Sequence, residues 1–250
     1  MNLTQYRESA PEQLRTDDLM RSMPLSGKNA LDIGARDGHF SLLMAQRFDR
    51  VVALDLTLPN ISHPKVNCVA GNAADLQFAD DSFEFVLCAE VLEHIPPQIL
   101  SKVCAELQRV CSGQLLIGVP FRQDIRVGRT TCRACGGINP PWGHLNCFDE
   151  KSLAQLFSDC SVTSVSMIGQ NNESTNALST QLMDWAGNPY GTYEQDETCI
   201  HCSQALMAPS NRGFGQKVLS KLGFWSRRAT ERFQGVHGNW IHMQLEKTHR

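Results

Sequence analysis

No stretch of this sequence approaches the roughly 20 consecutive apolar residues that a membrane-spanning helix requires. Nor is there an excess of basic residues: 23 Lys and Arg stand against 26 Asp and Glu, a formal net charge of −3. That balance argues against a general nucleic-acid binder, which shows a basic footprint. Met1 to Met20 is polar and charged throughout, with no apolar core of a signal peptide. The expected location is therefore the cytoplasm. The Gly-x-Gly-x-x-Gly turn of nicotinamide and flavin sites is also missing. What is not scarce is cysteine, with ten residues. In a reducing compartment, paired Cys-x-x-Cys spacings point to metal or redox chemistry rather than to structural disulfides.

The 250 residues, 42% of them hydrophobic, are enough for one large α/β domain or a domain carrying an insert. Residues 3–23 read as an N-terminal helical segment, with Tyr6, Leu14, Leu19 and Met20 as core contacts. From residue 29 to 120 the pattern alternates. Strands are expected at 29–33, 51–55, 66–69, 83–88 and 115–119. Helices are expected at 38–48, with Phe40, Leu42, Leu43 and Phe48 facing inward, and at 97–111. Such alternation predicts a parallel sheet covered by helices on both faces, with ligands at the carboxyl ends of the strands. Beyond it the regularity weakens. A helix at 149–158, a strand at 162–168, a helix at 214–233 and a last strand at 239–246 are separated by two irregular segments, 121–147 and 170–210. No internal repeat is evident.

The organising stretch is Ala30-Leu31-Asp32-Ile33-Gly34-Ala35-Arg36-Asp37-Gly38-His39-Phe40. A strand runs into a turn with two glycines, where a backbone without Cβ can approach a ligand closely. Asp32, two residues before the first glycine, suits a cationic ligand better than a pyrophosphate. These residues resemble the first motif of the class I S-adenosylmethionine-dependent methyltransferases. Asp32, Gly34 and Gly38 match, whereas Arg36 stands where the family has its middle glycine. Asp55, ending the second strand, resembles the acid that accepts both ribose hydroxyls. Asn72-Ala73-Ala74 resembles the adenine-binding stretch, with Asn72 in place of an acid. The run from Asp75 to Pro96 is similar to the family's third and fourth motifs. The resemblance covers about residues 28–168 and implies a Rossmann-like α/β sheet, mostly parallel with its last strand antiparallel. It implies S-adenosylmethionine as cofactor, held by Asp32, Gly34, Ala35, Gly38, Asp55, Leu56, Asn72, Ala73, Ala74, Cys88 and Glu90.

Methyl transfer from a sulfonium requires mainly that the nucleophile be held in line behind the methyl group. A hydroxyl nucleophile gains from a nearby base, for which His94 and His144 are the candidates. His94 lies in Glu90-Val-Leu-Glu93-His94. That string also resembles the magnesium ligands of the small-RNA 2′-O-methyltransferases and of ubiquinone-pathway O-methyltransferases, so Mg2+ at Glu90, Glu93 and His94 is an open reading. The competing reading of His94 is a packing residue at a helix start. His144 could equally be a base, a substrate contact or a loop histidine.

Cys132-x-x-Cys135 and Cys199-x-x-Cys202 supply four sulfurs, the donor set of closed tetrahedral zinc. With roughly sixty residues between the pairs, a zinc ion would clip two inserts together. A redox pair and unligated thiols are the alternatives, and Cys147 or His201 could replace one ligand. Cys68, Cys88, Cys104, Cys111 and Cys160 sit in apolar surroundings and read as core. In the last helix, Val218, Leu222, Trp225, Ala229 and Phe233 form an apolar stripe. They are expected to pack on the domain beneath a solvated basic face, with contact to an anionic substrate or a peripheral membrane surface as the alternative.

The sequence thus reads as an N-terminal segment over 1–27 and a methyltransferase domain over 28–250, with inserts at about 121–147 and 170–236 joined by zinc. The expected reaction is methyl transfer to an oxygen of a small molecule or saccharide. A magnesium-assisted RNA 2′-O-methyltransferase and a non-catalytic cofactor-binding or zinc interaction module are the alternatives. The identity of the acceptor and the oligomeric state are not legible.

Overall fold

The computed structural model describes residues 7–233 and 235–248. In chain order the elements are α1 (Ala10–Ser22), β1 (Gly27–Ile33), α2 (His39–Met44), β2 (Phe48–Asp55), β3 (Val66–Ala70), β4 (Phe83–Ala89), α3 (Pro97–Val110) and β5 (Cys111–Pro120). There follow β6 (Thr130–Thr131), β7 (Ile138–Asn139), α4 (Glu150–Gln155), β8 (Cys160–Ile168), α5 (Ala177–Trp185), α6 (Phe214–Glu231) and β9 (Trp240–Lys247). The chain divides into two compact units. The sheet unit comprises Ser9–Phe121, Phe148–Gly169 and the residues from Gly238 onward; the insert unit contains Arg122–Cys147 and Gln170–His237.

The sheet unit has seven strands in the order β3-β2-β1-β4-β5-β9-β8. Strands β1 to β5 are mutually parallel, and β9, the last in sequence, runs antiparallel to both of its neighbours. This is the expected Rossmann-like sheet. Both faces are buried, as a parallel sheet requires. Leu31, Ile33, Val86, Leu115 and Ile117 belong to one apolar cluster, and Ala30, Val51, Phe85, Leu87 and Leu116 to the other. Neighbours in sequence therefore alternate between clusters along β1, β4 and β5.

Three sequence expectations are corrected here. The first helix after β1 ends at Met44 rather than 48. The N–H groups of Gln46 and Arg47 turn back onto the carbonyls of Leu43 and Met44, and Phe48 already belongs to β2, its ring stacked on Phe85 at 5.4 Å. Leu42, on that short helix, is 41% exposed. Leu14 in α1 is 55% exposed, because the helix turns a charged face inward instead. Glu12 and Arg15 are buried and joined by two 2.7 Å hydrogen bonds, and Arg15 lies over the rings of Phe40 and Trp240. Asp18, also buried, accepts 2.6 Å bonds from Ser166 Oγ and His242 Nδ1. Leu19 does reach the core and Met20 packs partly buried against it; Met23, not anticipated, is buried too, and Tyr6 lies outside the described residues. Cys88, Cys104 and Cys111 are buried as expected, whereas Cys68 and Cys160 are only half-buried because they sit on the edge strands β3 and β8.

In the insert unit, α5 falls within a segment read as irregular. Its start is set by Asn176, whose side-chain oxygen accepts from the Ser179 N–H. The same side chain donates to the Ser226 carbonyl and to Thr230 Oγ1 in α6. Ser179 Oγ donates to the Gly223 carbonyl at 2.7 Å. Gly223 permits this approach: a Cβ there would meet Leu182 and Met183 at 3.2–3.3 Å. The inward face of α6 is consequently small and polar, with Ser220 and Gly223 buried. The stripe of Val218, Leu222, Trp225 and Ala229 points outward, which overturns the expectation that it packs inside.

Candidate active site

The register of the parallel strands builds one edge. Ile33 lies opposite Leu54 and Cys88, Asp55 opposite Ala70, and Ala89 opposite Gly118. The carboxyl ends of β1 to β5 therefore stand side by side at about 4.8 Å per strand. The segments that follow them carry Gly34 to Gly38, Asp55-Leu56, Asn72 to Ala74 and Glu90 to His94.

The turn after β1 is held by N–H groups of Gly34 and Ala35 that both donate to the Leu54 carbonyl. Gly34 and Gly38 have φ of +75° and +81°. A Cβ on Gly34 would lie 2.4 Å from Val91 Cγ2, and one on Gly38 2.4 Å from Ile61 Cδ1. Both glycines are therefore required by conformation and by space. Arg36 also adopts a left-handed backbone, φ 47°, so the residue at the motif's middle glycine keeps a glycine-like path. Its N–H donates to Asp55 Oδ2 at 2.9 Å, tying the β1 turn to the end of β2. Asp32 is buried and accepts from Ser41 Oγ at 2.6 Å, which fixes α2 against the turn.

Asp55 is half-buried and Leu56 beside it is 76% exposed, so the acid lies at the rim of the sheet. Asn72 Oδ1 accepts from the Ala74 N–H at 2.9 Å, a turn that buries Ala73 and Ala74 in the core. The amide oxygen of Asn72 thus shapes its own loop. Cys88 is fully buried at the end of β4; burial, then the nearby Cys104, raises its thiol well above the ordinary range.

Glu90 has a left-handed backbone, φ 59°, and its N–H donates to the Gly118 carbonyl. Leu92–His94 forms a single 3-10 turn. Burial pushes the Glu93 carboxyl well above its usual value, and the neighbouring Glu90 charge adds to the shift. Burial likewise raises Glu90, against the charge of Arg15 and a hydrogen bond from Trp240. Both Glu93 oxygens are buried with no hydrogen-bond partner among the described residues. Burial, aided by the Arg36 charge, lowers His94 to about 4, so its imidazole is neutral at pH 7. Ligand atoms of Glu93 and His94 lie within 4.8 Å of each other. Among the described residues, Glu90 joins no group of three or more such atoms, so the structure does not assemble the full Glu90, Glu93, His94 trio.

The methyltransferase domain family matches residues 31–116, the stretch that carries this edge. Residues 31–116 therefore form a methyltransferase domain. A relative named "Probable S-adenosylmethionine-dependent methyltransferase" from Mycobacterium tuberculosis is 28% identical over 150 residues, 58% of this chain and 52% of its own. A ubiquinone biosynthesis O-methyltransferase from Idiomarina loihiensis is 34% identical over 93 residues, 33% of this chain and 38% of its own. The chain thus spans about half the length of the first of these relatives and less of the second. The solved 1,6-didemethyltoxoflavin-N1-methyltransferase of Burkholderia thailandensis superposes with a TM-score of 0.53 at 15% identity, covering 98% of this chain and 81% of the other. A Bacillus halodurans chain superposes at 0.60 with 18% identity, covering 93% and 98%. Both show the shared fold.

The insert unit brings Cys132, Cys135, Cys199 and Cys202 together, with all sulfurs within 4.8 Å. Cys132 and Cys202 are 3.6 Å apart, Cys135 and Cys199 3.7 Å. A tetrahedron with zinc–sulfur bonds of about 2.3 Å has edges of about 3.8 Å, so these separations suit zinc. The two pairs share one turn. Cys132 N–H donates to the Gly137 carbonyl and Gly136 N–H to the Cys132 carbonyl. Cys199 N–H donates to Gln204 and Ser203 N–H to Cys199 in the same spacing. Gly136 and Ser203, at equivalent positions, both have positive φ, 73° and 59°. N–H groups of Gly137 and His201 point at Cys135 Sγ and Cys199 Sγ at 3.4 Å. Burial opposes ionisation of Cys199, yet the His201 and Cys202 N–H groups and the neighbouring thiols bring it to about 6. Cys147 is exposed and outside the cluster; His201 Nε2 is instead paired with the Ile138 carbonyl at 3.0 Å.

His144, also in the insert unit, is buried, and its Nδ1 meets Gln123 Oε1. The matching knuckle turns and α5 were the features that spacing alone did not disclose. The Asn-x-x-Ser run at 176–179 was the signal for α5.

Proposed function

We propose that this chain transfers the methyl group of S-adenosylmethionine to an oxygen of a small molecule or saccharide. The observation that carries the reading is the tie between the glycine turn and Asp55. The Arg36 N–H holds one carboxylate oxygen at the rim of β2, beside a turn that only glycine-like backbone can follow. When bound, the cofactor supplies an electrophilic methyl on a sulfonium. Asp55 accepts the ribose hydroxyls, a role for which a carboxylate has enough acceptor positions. Asp32 and Ser41 hold the turn, while Gly34, Ala35 and Gly38 let the ligand lie against backbone. Leu56, Asn72, Ala73, Ala74, Cys88 and Glu90 complete the contacts, with the Asn72 to Ala74 loop meeting adenine. The neutral His94 imidazole takes the acceptor's hydroxyl proton, and His144 is the second candidate for that role.

The thiolates of Cys132, Cys135, Cys199 and Cys202 would hold a structural zinc ion, which orders the insert and does no chemistry. The buried Glu93 carboxyl, on losing its proton, and the His94 imidazole offer ligands to Mg2+, without Glu90. The names of the ubiquinone-pathway relatives favour oxygen as the methylated atom.

The test is transfer of labelled methyl from S-adenosylmethionine into a fractionated extract, with the product identified by mass. A labelled oxygen-methylated small molecule or saccharide is expected. Label confined to RNA, or no transfer by a folded, cofactor-loaded protein, would overturn the reading.

A further inference from the structure

The outward face of α6 has an arrangement that internal packing does not explain. Its inward face is built from Ser220, Gly223, Ser226 and Thr230, pinned to α5 by Asn176 and Ser179. Its large apolar residues face solvent: Phe214 is 84% exposed, Leu222 53% and Trp225 59%. Val218 and Ala229 lie on the same side, at spacings of three and four residues that make one continuous stripe. Immediately beside it run Lys217, Lys221, Arg228 and Arg232, all exposed. Among the described residues none of these four has an ion-pair partner, whereas Arg227 on the inner side is paired with Glu231 and Glu173. The chain's overall charge is −3, so this cationic stripe is a local feature. On α5, Leu178 and Trp185 are similarly exposed, at 59% and 60%. No helix among the described residues is long and apolar enough to cross a membrane.

We infer that α6 is an interfacial helix by which the enzyme docks on an anionic lipid bilayer. A helix lying in the headgroup plane needs apolar side chains that reach the acyl boundary and flanking cations that meet lipid phosphates. Phe214, Val218, Leu222 and Trp225 supply the first, and Lys217, Lys221, Arg228 and Arg232 the second. A nucleic acid would use the cations and leave the aliphatic stripe in water. The bilayer satisfies both, with the small polar inner face left to hold the helix on α5. This inference does not depend on the methylated substrate.

The full-length protein is mixed with vesicles of equal phosphatidylglycerol and phosphatidylcholine, and with pure phosphatidylcholine vesicles, and bound protein is recovered by flotation. At low salt, partition onto the anionic vesicles should be at least about tenfold greater, and should fall sharply at about 0.5 M salt. The pair Leu222→Ala with Trp225→Ala should weaken it about tenfold, as should Lys217→Glu with Lys221→Glu, with the melting temperature of each unchanged because these side chains are exposed. Absence of binding, equal binding to neutral vesicles, or indifference to both double variants would overturn the inference. So would a dimer in solution that the same substitutions dissociate, because the face would then belong to a second copy.

Discussion

The two units of this chain are held together by different physics. In the sheet unit, apolar side chains alternate to both faces of a seven-stranded sheet and form two large clusters around Leu31, Val86 and Ile117 on one side and Phe85, Leu87 and Leu116 on the other. In the insert unit the apolar cluster comprises Cys132, Cys199 and Leu206, with Tyr193 and Cys202 partly buried against it. The cysteines are themselves most of that core. Polar pins do the rest: Asp124 accepts from Arg126 and the Thr175 N–H, Asn188 donates to Thr131 and Asp184, and Asn139 accepts from the Ile200 N–H. A unit with so little apolar burial gains its stability from a metal or from ordered polar partners. The contrast sets a sheet whose core encloses the buried Glu12, Arg15 and Asp18 against an insert whose small apolar cluster is built largely from cysteines.

That contrast can be broken most severely at the sulfurs. Cys199→Ser, or removal of metal with a strong chelator, should abolish amide-exchange protection across Arg122–Cys147 and Gln170–His237. Protection in β1, β4 and β5 should persist. Zinc binding in small domains is worth about 10 kcal/mol or more, far beyond what the small cluster around Leu206 provides. Full protection of the insert in a metal-free sample would remove the distinction between the units.

A smaller effect is expected in the sheet unit at Asp18. The hydrogen bond from His242 holds this carboxyl well below its usual value, against the opposing effect of burial. Burial lowers His242 itself, which the Asp18 bond only partly offsets. Both shifts have the same consequence. As pH falls through about 6.5 the unfolded chain protonates its histidine first, and below about 4 it protonates its aspartate first, so stability is lost on acidification. Asp18→Asn should cost about 1–2 kcal/mol at pH 7, allowing for solvent screening, and should flatten the loss below pH 4. An unchanged acid limb of the stability curve in that variant would assign the loss to other groups.

How much of this was legible follows the same division. The strands of the sheet and the turn at Gly34 to Gly38 announce themselves through local period and through glycines whose Cβ has no room. The paired cysteines are likewise visible, because two residues between ligands is the span of one turn. The inward face of α1 was not legible. Glu12, Arg15 and Asp18 bury only because Trp240, Ser166 and His242 arrive from distant segments. The outward stripe of α6 was misread for a related reason. Periodicity marks an apolar face but does not say whether protein or solvent covers it, and here Gly223 and Ser179 decide the packing. The left-handed Arg36 explains how the motif survives without its middle glycine.

The rim joining the β1 turn to Asp55 is the site we propose for S-adenosylmethionine. Its most direct test is equilibrium binding of that cofactor to the wild-type protein and to Asp55→Ala, with folding checked by melting. Binding by the wild type, weakened at least about tenfold by loss of the acceptor for two hydroxyls while the fold is kept, is the predicted result. A folded wild-type protein that fails to bind the cofactor, or an Asp55→Ala variant that binds it equally well, would contradict the account.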